Sequence, residues 1–189
     1  MAEPGGEPKN PWKTLAQRLV YQNPWIKVRE DQVLRPDGRP GIYGVVEFQN
    51  RAVGVLPVAA DGSIWLVGQY RYPLGAYSWE IPEGGSPFLE SPEQTALREL
   101  REETGLIAGR IEPVATIHLS NSVCDEIGYV FRATDLTQGD AEPEGSEELQ
   151  VKRISWDDAW AMLARGEITD SLSVVAILHE AVRRLAERP

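Results

Sequence analysis

The sequence Gly84-Gly85-Ser86-Pro87-Phe88-Leu89-Glu90, followed after seven residues by Arg98-Glu99-Leu100-Arg101-Glu102-Glu103-Thr104-Gly105-Leu106, sets three carboxylates at positions i, i+3 and i+4. On a helix, Glu99, Glu102 and Glu103 share one face. Three carboxylates on one face repel one another, so the pattern asks for a cation. Hard divalent ions take oxygen ligands and are often shared with phosphates. The pattern therefore points to a metal-dependent site for a phosphorylated substrate. A helix can be placed over it. Ser91 reads as N-cap, Pro92 as the first helical residue, and Gln94 completes a capping box. Ala96, Leu97 and Leu100 form an apolar side, and Gly105 is a natural left-handed stop. About three and a half turns lie between the caps at 3.6 residues per turn. Arg98 stands four residues before Glu102 and is spaced to pair with it.

A triplet of glutamates taken alone is also what a solvated, charge-patterned helix face looks like. The full spacing decides between the two. It reads Gly, five residues, Glu, seven residues, Arg-Glu-apolar-any-Glu-Glu-any-Gly-apolar, and at the ordinary abundance of Gly and Glu a chance match is on the order of one in ten million. This is the Nudix box, and the chain resembles the Nudix hydrolases. Flanking segments extend the resemblance over most of the chain. Gln69-Tyr70-Arg71-Tyr72-Pro73 and Trp79-Glu80-Ile81-Pro82 resemble the segment before the box in the ADP-ribose and nucleoside-diphosphate-sugar pyrophosphatases.

Composition sets limits around this. The 189 residues suit one domain with room for a small extra layer. A net charge of −10 argues against nucleic acid or an anionic membrane as partner. No apolar run approaches the roughly 20 residues of a membrane span. The single Cys124 fits a reducing compartment, and the cytoplasm is the expected location. Residues 1–9 are polar and rich in Gly and Pro, lack the apolar core of a signal peptide, and read as a tail.

Working outward from the box, residues 19–34 read as one or two strands broken near Asn23-Pro24. Pro36-Asp37-Gly38 is a turn signal, and 42–48 is a further strand. Segments 53–59 and 63–69 flank the hairpin signature Asp61-Gly62. Later strands are expected at 111–119, 127–133 and 149–154. A polar loop is expected over 135–146, a short helix over 156–164 and a longer amphipathic one over 170–187. Strands surround two or three helices without regular alternation, so the class is α+β. The resemblance implies the Nudix fold, an α/β/α sandwich around a mixed sheet, with a strand-rich N-terminal extension. The expected division is a disordered tail at 1–12, the extension at 13–50, and a Nudix hydrolase domain at 51–189. Extensions of this kind help build a homodimer in the ADP-ribose group; the alternative is a decoration on a monomer.

The resemblance also implies roles. Metal, Mg²⁺ with Mn²⁺ as substitute, would be held by Glu99, Glu102 and Glu103 and by the carbonyl of Glu83. The family often has a small residue where Glu83 stands. Arg71 and Glu80 are the implied substrate-binding positions, although Arg71 read alone is an ordinary surface charge. Gly84 and Gly85 join them as bare backbone that phosphate or metal can approach, or simply as a tight turn. Glu102 and Glu103 would act in catalysis through the metal, and Glu90 would brace the loop. A general base should lie outside the metal ligands. Among Glu142, Glu144, Glu147 and Glu148, alignment on Leu149-Gln150-Val151 selects Glu147, with Glu144 and Glu148 next. Residues 120–126 stand where the group carries a loop near substrate. The group's proline, some fifteen residues after the box, is missing; Leu119 to Asn121 occupy that region, which leaves sugars other than ribose open. His118 and His179 receive no catalytic role. Trp12 and Trp25 could stack on a base or anchor an interface, and Trp65, Trp156 and Trp160 read as core.

The expected function is Mg²⁺-dependent hydrolysis of the diphosphate bond of ADP-ribose or a related nucleoside diphosphate sugar. The products would be a nucleoside monophosphate and a sugar phosphate, and the only expected ligand is a small nucleotide. The alternatives are hydrolysis of other nucleotides (NADH, dinucleoside polyphosphates, oxidised nucleoside triphosphates) and a non-catalytic nucleotide-sensing module. The intact glutamate set disfavours the last, since sensing needs no three-carboxylate metal face.

Overall fold

Residues 9–139 and 149–187 are described by a computed structural model. They fall into two units, one holding the chain up to Gln49 with Ser120–Asp125, the other Asn50–Leu119 with the chain from Glu126 on. The first unit is an antiparallel sheet of β1 (Lys13–Gln22), β2 (Ile26–Leu34) and β3 (Pro40–Phe48), in that order. The expected break at Asn23-Pro24 is present. Asn23 Oδ1 accepts the N–H groups of Trp25 and Ile26, an Asx turn that reverses the chain. Gly38 takes a positive φ of 78° in the expected turn.

β1 begins at Lys13, six residues before the strand predicted from the sequence. All ten of its residues are exposed, so no burial imprints an alternating pattern on them. The segment Ser120–Asp125 is bound to β3. Val46 N–H donates to the Val123 carbonyl at 2.9 Å, and Phe48 N–H to Asp125 Oδ1 at 2.9 Å. Of the tail expected over 1–12, residues 1–8 lie outside the described residues, while Trp12 packs edge-on to Tyr43 at 5.3 Å between centroids.

The second unit continues with β4 (Arg51–Pro57), β5 (Ile64–Arg71), β6 (Ala76–Glu80), β7 (Glu83–Ser86), α1 (Pro92–Thr104), β8 (Leu106–His118), β9 (Ile127–Gln138), β10 (Gln150–Ile154), α2 (Trp156–Ala164) and α3 (Ser171–Ala186). Its main sheet has the order β7-β4-β9-β8, with β4 and β9 parallel and the other pairs antiparallel. A second sheet runs β10-β5-β6.

Side-chain alternation makes the layers. Val53 and Val55 of β4 and Phe131 and Ala133 of β9 pack with Ala96 and Leu100 of α1. Leu56 and Val130, on the other face of the same strands, pack with Leu172, Ala176 and Ile177 of α3. Both faces are covered, which is the α/β/α sandwich around a mixed sheet. Each fully buried Val, Leu or Ile contributes roughly 1.5–3 kcal/mol. Among the described residues no helix is long and apolar enough to cross a membrane.

Several local readings are corrected. β6 and β7 were not anticipated, because Pro and Gly interrupt the segment. Gly84 and Gly85 form no tight turn: they are extended in β7, opposite Val53 and Ala52. β8 starts five residues earlier than expected, and residues 135–138, expected in a loop, extend β9. There Asp135 adopts a φ of 55°, a conformation that Asp tolerates better than most residues. Leu97 is 37% exposed, since it sits one position off the buried line through Ala96 and Leu100. Trp160 is 43% exposed for the same reason, with Ala159 and Met162 facing the core of its helix. Trp65 and Trp156 are partly buried against the core.

Candidate functional site

The caps of α1 form as the sequence specifies. Gln94 N–H donates to Ser91 Oγ at 3.2 Å and Ser91 N–H to Gln94 Oε1 at 3.1 Å. Gly105 closes the helix at φ 71°, its N–H on the Arg101 carbonyl. Burial of Ala96 and Leu100 fixes the rotation of the helix and turns the glutamate face toward β7. Glu103 is buried, 5% exposed, and one of its carboxylate oxygens accepts the Glu83 N–H at 3.1 Å. The Glu99 carboxyl lies so close to Gly84 that a Cβ there would overlap it. A side chain at this position would displace the Glu99 carboxyl from where it now lies.

Arg98 threads this face. Its Nη1 donates to Glu99 Oε1 at 2.7 Å and to Glu102 Oε2 at 2.9 Å, and its Nη2 to Glu90 Oε2 and to the Gly85 carbonyl, both at 3.2 Å. The hydrogen bond from Arg98 holds the Glu90 carboxyl below its ordinary pKa. Arg98 thus offsets part of the charge of Glu99 and Glu102 and braces the loop through Glu90. Among the described residues no three His, Cys, Asp or Glu side chains are gathered in a geometry that would hold a metal by themselves. The donor set still suits a hard divalent cation: three carboxylates at positions i, i+3 and i+4 share one helix face, and the Glu99 carboxyl lies directly against the Gly84 backbone.

A second cluster adjoins the first. Arg71, at the end of β5, donates from Nε to both oxygens of Glu80 at 3.0 Å and from Nη2 to Glu80 Oε2 at 2.6 Å. Nη2 also reaches Glu83 Oε1 at 2.7 Å. Burial alone would lower the Arg71 pKa, but the bonds to Glu80 and the charges of Glu83, Glu80 and Asp170 outweigh it and raise the value. For Glu83 burial pushes the carboxyl well above the usual range, Asp170 and Glu80 push the same way, and Arg71 opposes them. Glu83 Oε2 is buried with no hydrogen-bond donor among the described residues. Glu83 joins the two clusters, since its N–H goes to Glu103 and its carboxyl takes Arg71.

Three residues in this architecture escaped the sequence reading. Arg51 Nη2 donates to Ser86 Oγ at 3.1 Å and to the carbonyls of Pro87 and Glu90, pinning the loop into α1. Ser173, fully buried, accepts the Ile81 N–H at 2.8 Å through Oγ. Asp170 caps α3, accepting the Ser173 N–H at 2.7 Å, and its carboxyl lies against Glu83. Asp170 was legible only as a helix start; nothing in the spacing marks Arg51 or Ser173. The predicted Arg71, Glu80, Glu83, Gly84, Gly85, Glu99, Glu102 and Glu103 come together in the second unit. Glu142, Glu144, Glu147 and Glu148 lie outside the described residues. His118 and His179 are exposed and outside both clusters.

Comparison with known proteins follows the same lines. The model of the NUDIX domain matches residues 48–173, and that of the nucleoside diphosphate sugar hydrolase N-terminal domain matches residues 12–46. An ADP-ribose pyrophosphatase from Bacillus subtilis (strain 168) is 33% identical over 167 residues, 87% of this chain and 90% of that protein. A methanol dehydrogenase activator from Bacillus methanolicus is 30% identical over 177 residues, 90% of this chain and 95% of that protein. The crystal structure of an ADP compounds hydrolase superposes with a TM-score of 0.85 at 18% identity, covering 96% of this chain and 98% of that one. At that identity the likeness speaks for the fold.

Proposed function

This chain belongs to the Nudix family, and from that premise we propose that it hydrolyses the diphosphate bond of a nucleoside diphosphate sugar. ADP-ribose is the first candidate, giving AMP and ribose 5-phosphate. The observation that carries the reading is the double attachment of Glu83, which sets a guanidinium able to bind phosphate beside the box glutamates. Arginine suits this task because its planar fork matches phosphate oxygens. The similarity to an ADP-ribose pyrophosphatase over most of both chains supports the same substrate class.

The metal in this proposal is Mg²⁺, with Mn²⁺ as substitute. Glu99, Glu102, Glu103 and the Glu83 carbonyl would hold it. When bound, such an ion neutralises phosphate charge and lowers the pKa of water. Glu80 orients Arg71, and Gly84 and Gly85 leave the backbone open beside the phosphates. Glu147 is the proposed general base. The register supports this: Gln150 pairs with Gly68, whose partner on the other side is Trp79, next to Glu80. β10, which follows the acidic segment in the chain, therefore lies beside the strand that carries Arg71. Residues 13–50 form the dimerising part and 51–189 the catalytic part of a homodimer. The one cysteine, Cys124, is consistent with a cytoplasmic enzyme.

Product analysis tests the function. Purified protein is incubated with ADP-ribose, other nucleoside diphosphate sugars, NADH, a dinucleoside polyphosphate and an oxidised nucleoside triphosphate, with Mg²⁺ or with a chelator. A nucleoside monophosphate and a sugar phosphate, formed only with the metal, are the expected products. Preference for NADH or for a polyphosphate would move the assignment to another Nudix substrate. An inert protein that still binds nucleotide would favour the sensing role.

A further inference from the structure

We propose that the Glu83 side chain is a positioning residue, the second jaw of a clamp that presents the Nη1 end of Arg71 to the substrate's diphosphate. The inference rests on the substrate class proposed above and deepens it. A guanidinium carries five N–H donors in one rigid plane. Glu80 takes Nε and one hydrogen of Nη2 side-on, and Glu83 takes the other hydrogen of Nη2 at 2.7 Å. Glu80 fills the Nε–Nη2 edge, and Glu83 takes the Nη2 half of the neighbouring Nη1–Nη2 edge. No partner among the described residues takes Nη1, and the Arg71 side chain is one-third exposed. The two N–H groups of Nη1 are what remains for an anion.

One carboxylate cannot do this alone. A side-on pair keeps Arg71 and Glu80 roughly coplanar but lets the guanidinium rock about their shared edge. A second acceptor, arriving at Nη2 from three residues further along the chain, removes that motion. The backbone that carries both jaws is tied down by hydrogen bonds. Ile81 between them is fully buried, and its N–H is held by Ser173. The Pro82 carbonyl accepts the Val55 N–H at 2.9 Å, and the Glu83 N–H is bound by Glu103. The clamp is therefore built onto α3, β4 and α1 together. Two carboxyls around one guanidinium leave no surplus positive charge, so Arg71 works as an oriented donor more than as an attractor. An oriented donor contributes about equally to bound substrate and to transition state, and its loss appears in KM more than in kcat.

The test compares Glu83→Met, which keeps the volume and drops the acceptor, with Glu83→Gln, which keeps an acceptor oxygen for Nη2. Steady-state kinetics on ADP-ribose with Mg²⁺ are paired with calorimetric binding of its α,β-methylene analogue, after circular dichroism confirms folding. Glu83→Met should raise KM and the analogue's Kd in parallel, by roughly ten- to a hundredfold, the scale of one hydrogen bond to a charged group. Its kcat should fall by a smaller factor, and Glu83→Gln should recover most of the affinity. Glu83→Ala stands in if Glu83→Met does not fold. Wild-type affinity in the variant lacking an acceptor overturns the clamp. So does a Glu83→Gln as impaired as Glu83→Met, or a loss confined to kcat. A wild-type protein that neither binds nor cleaves any nucleoside diphosphate sugar overturns the substrate reading and the clamp with it. An active wild-type beside an unaffected variant overturns the clamp alone.

Discussion

Glu103 shows how one side chain can serve fold and chemistry together. It is buried, yet it accepts a backbone N–H from Glu83 and belongs to the face proposed for the metal. Glu103→Gln keeps an oxygen for that N–H and removes the charge. The fold should survive, seen as an unchanged circular dichroism spectrum. The kcat at saturating Mg²⁺ should drop at least about a hundredfold, as expected where several kcal/mol of charge stabilisation are lost. Unchanged turnover would remove Glu103 from the metal site.

Asp61 is a residue of another kind, structural and exposed to solvent. Its carboxylate accepts from Ser63 N–H and Oγ and from Arg153, and chiefly the Ser63 bonds lower its pKa from 3.8 to about 2. A folded-state pKa below the unfolded value stabilises at pH above 3.8, and the contribution is lost as pH falls through about 2. Asp61→Asn should therefore melt below wild type at neutral pH. The gap in Tm should close as the pH is lowered through that window. A gap independent of pH would assign the effect to turn geometry instead of charge.

At the scale of elements, the register of β10 carries the question of the base. Its first residue, Gln150, is opposite Gly68, three residues before Arg71 on the neighbouring strand. Single Gln substitutions at Glu144, Glu147 and Glu148, compared in one assay, test the proposal. Glu147→Gln should cost about 10²- to 10⁴-fold in kcat with little change in KM, since a general base acts in the transition state. Loss at a neighbour with normal kcat in Glu147→Gln would shift the register. Full activity in all three would move the base elsewhere.

Helix α1 was readable to the residue, because Ser91, Pro92, Gln94 and Gly105 each perform a local task that needs no distant partner. β6 and β7 were not. Their extended backbone comes from pairing with β5 and β4, and nothing within their own few residues demands it. β1 was half legible for a related reason, since a strand exposed along its whole length carries no burial pattern.

For the whole molecule, exposure in the first unit bears on assembly. Leu15, Leu19, Val20 and Tyr21 of β1 are more than half exposed, as is Trp25. An exposed apolar strand at a sheet edge is a surface that proteins ordinarily cover. The proposed homodimer would cover it. Sedimentation or light scattering at micromolar concentration should give about twice the 21.0 kDa chain mass. Replacing Leu15, Leu19 and Val20 together by Ser should shift the protein to the monomer. A wild-type monomer would refute the assembly while leaving the glutamate face untouched.

The sequence by itself determined the family, the fold class, the caps and limits of α1, and the glutamate face. Each is written in residue types at short, regular spacing, where helical geometry alone brings the groups together. Only the tertiary structure decided which partners those groups take. Arg98 on Glu90 and the Gly85 carbonyl, Arg71 between Glu80 and Glu83, and Ser173 and Asp170 behind them are contacts between residues as many as 92 positions apart. Long-range pairing depends on how the sheets stack and on which side of a buried helix faces them. That is settled by packing the whole core, and it leaves no local mark in the chain.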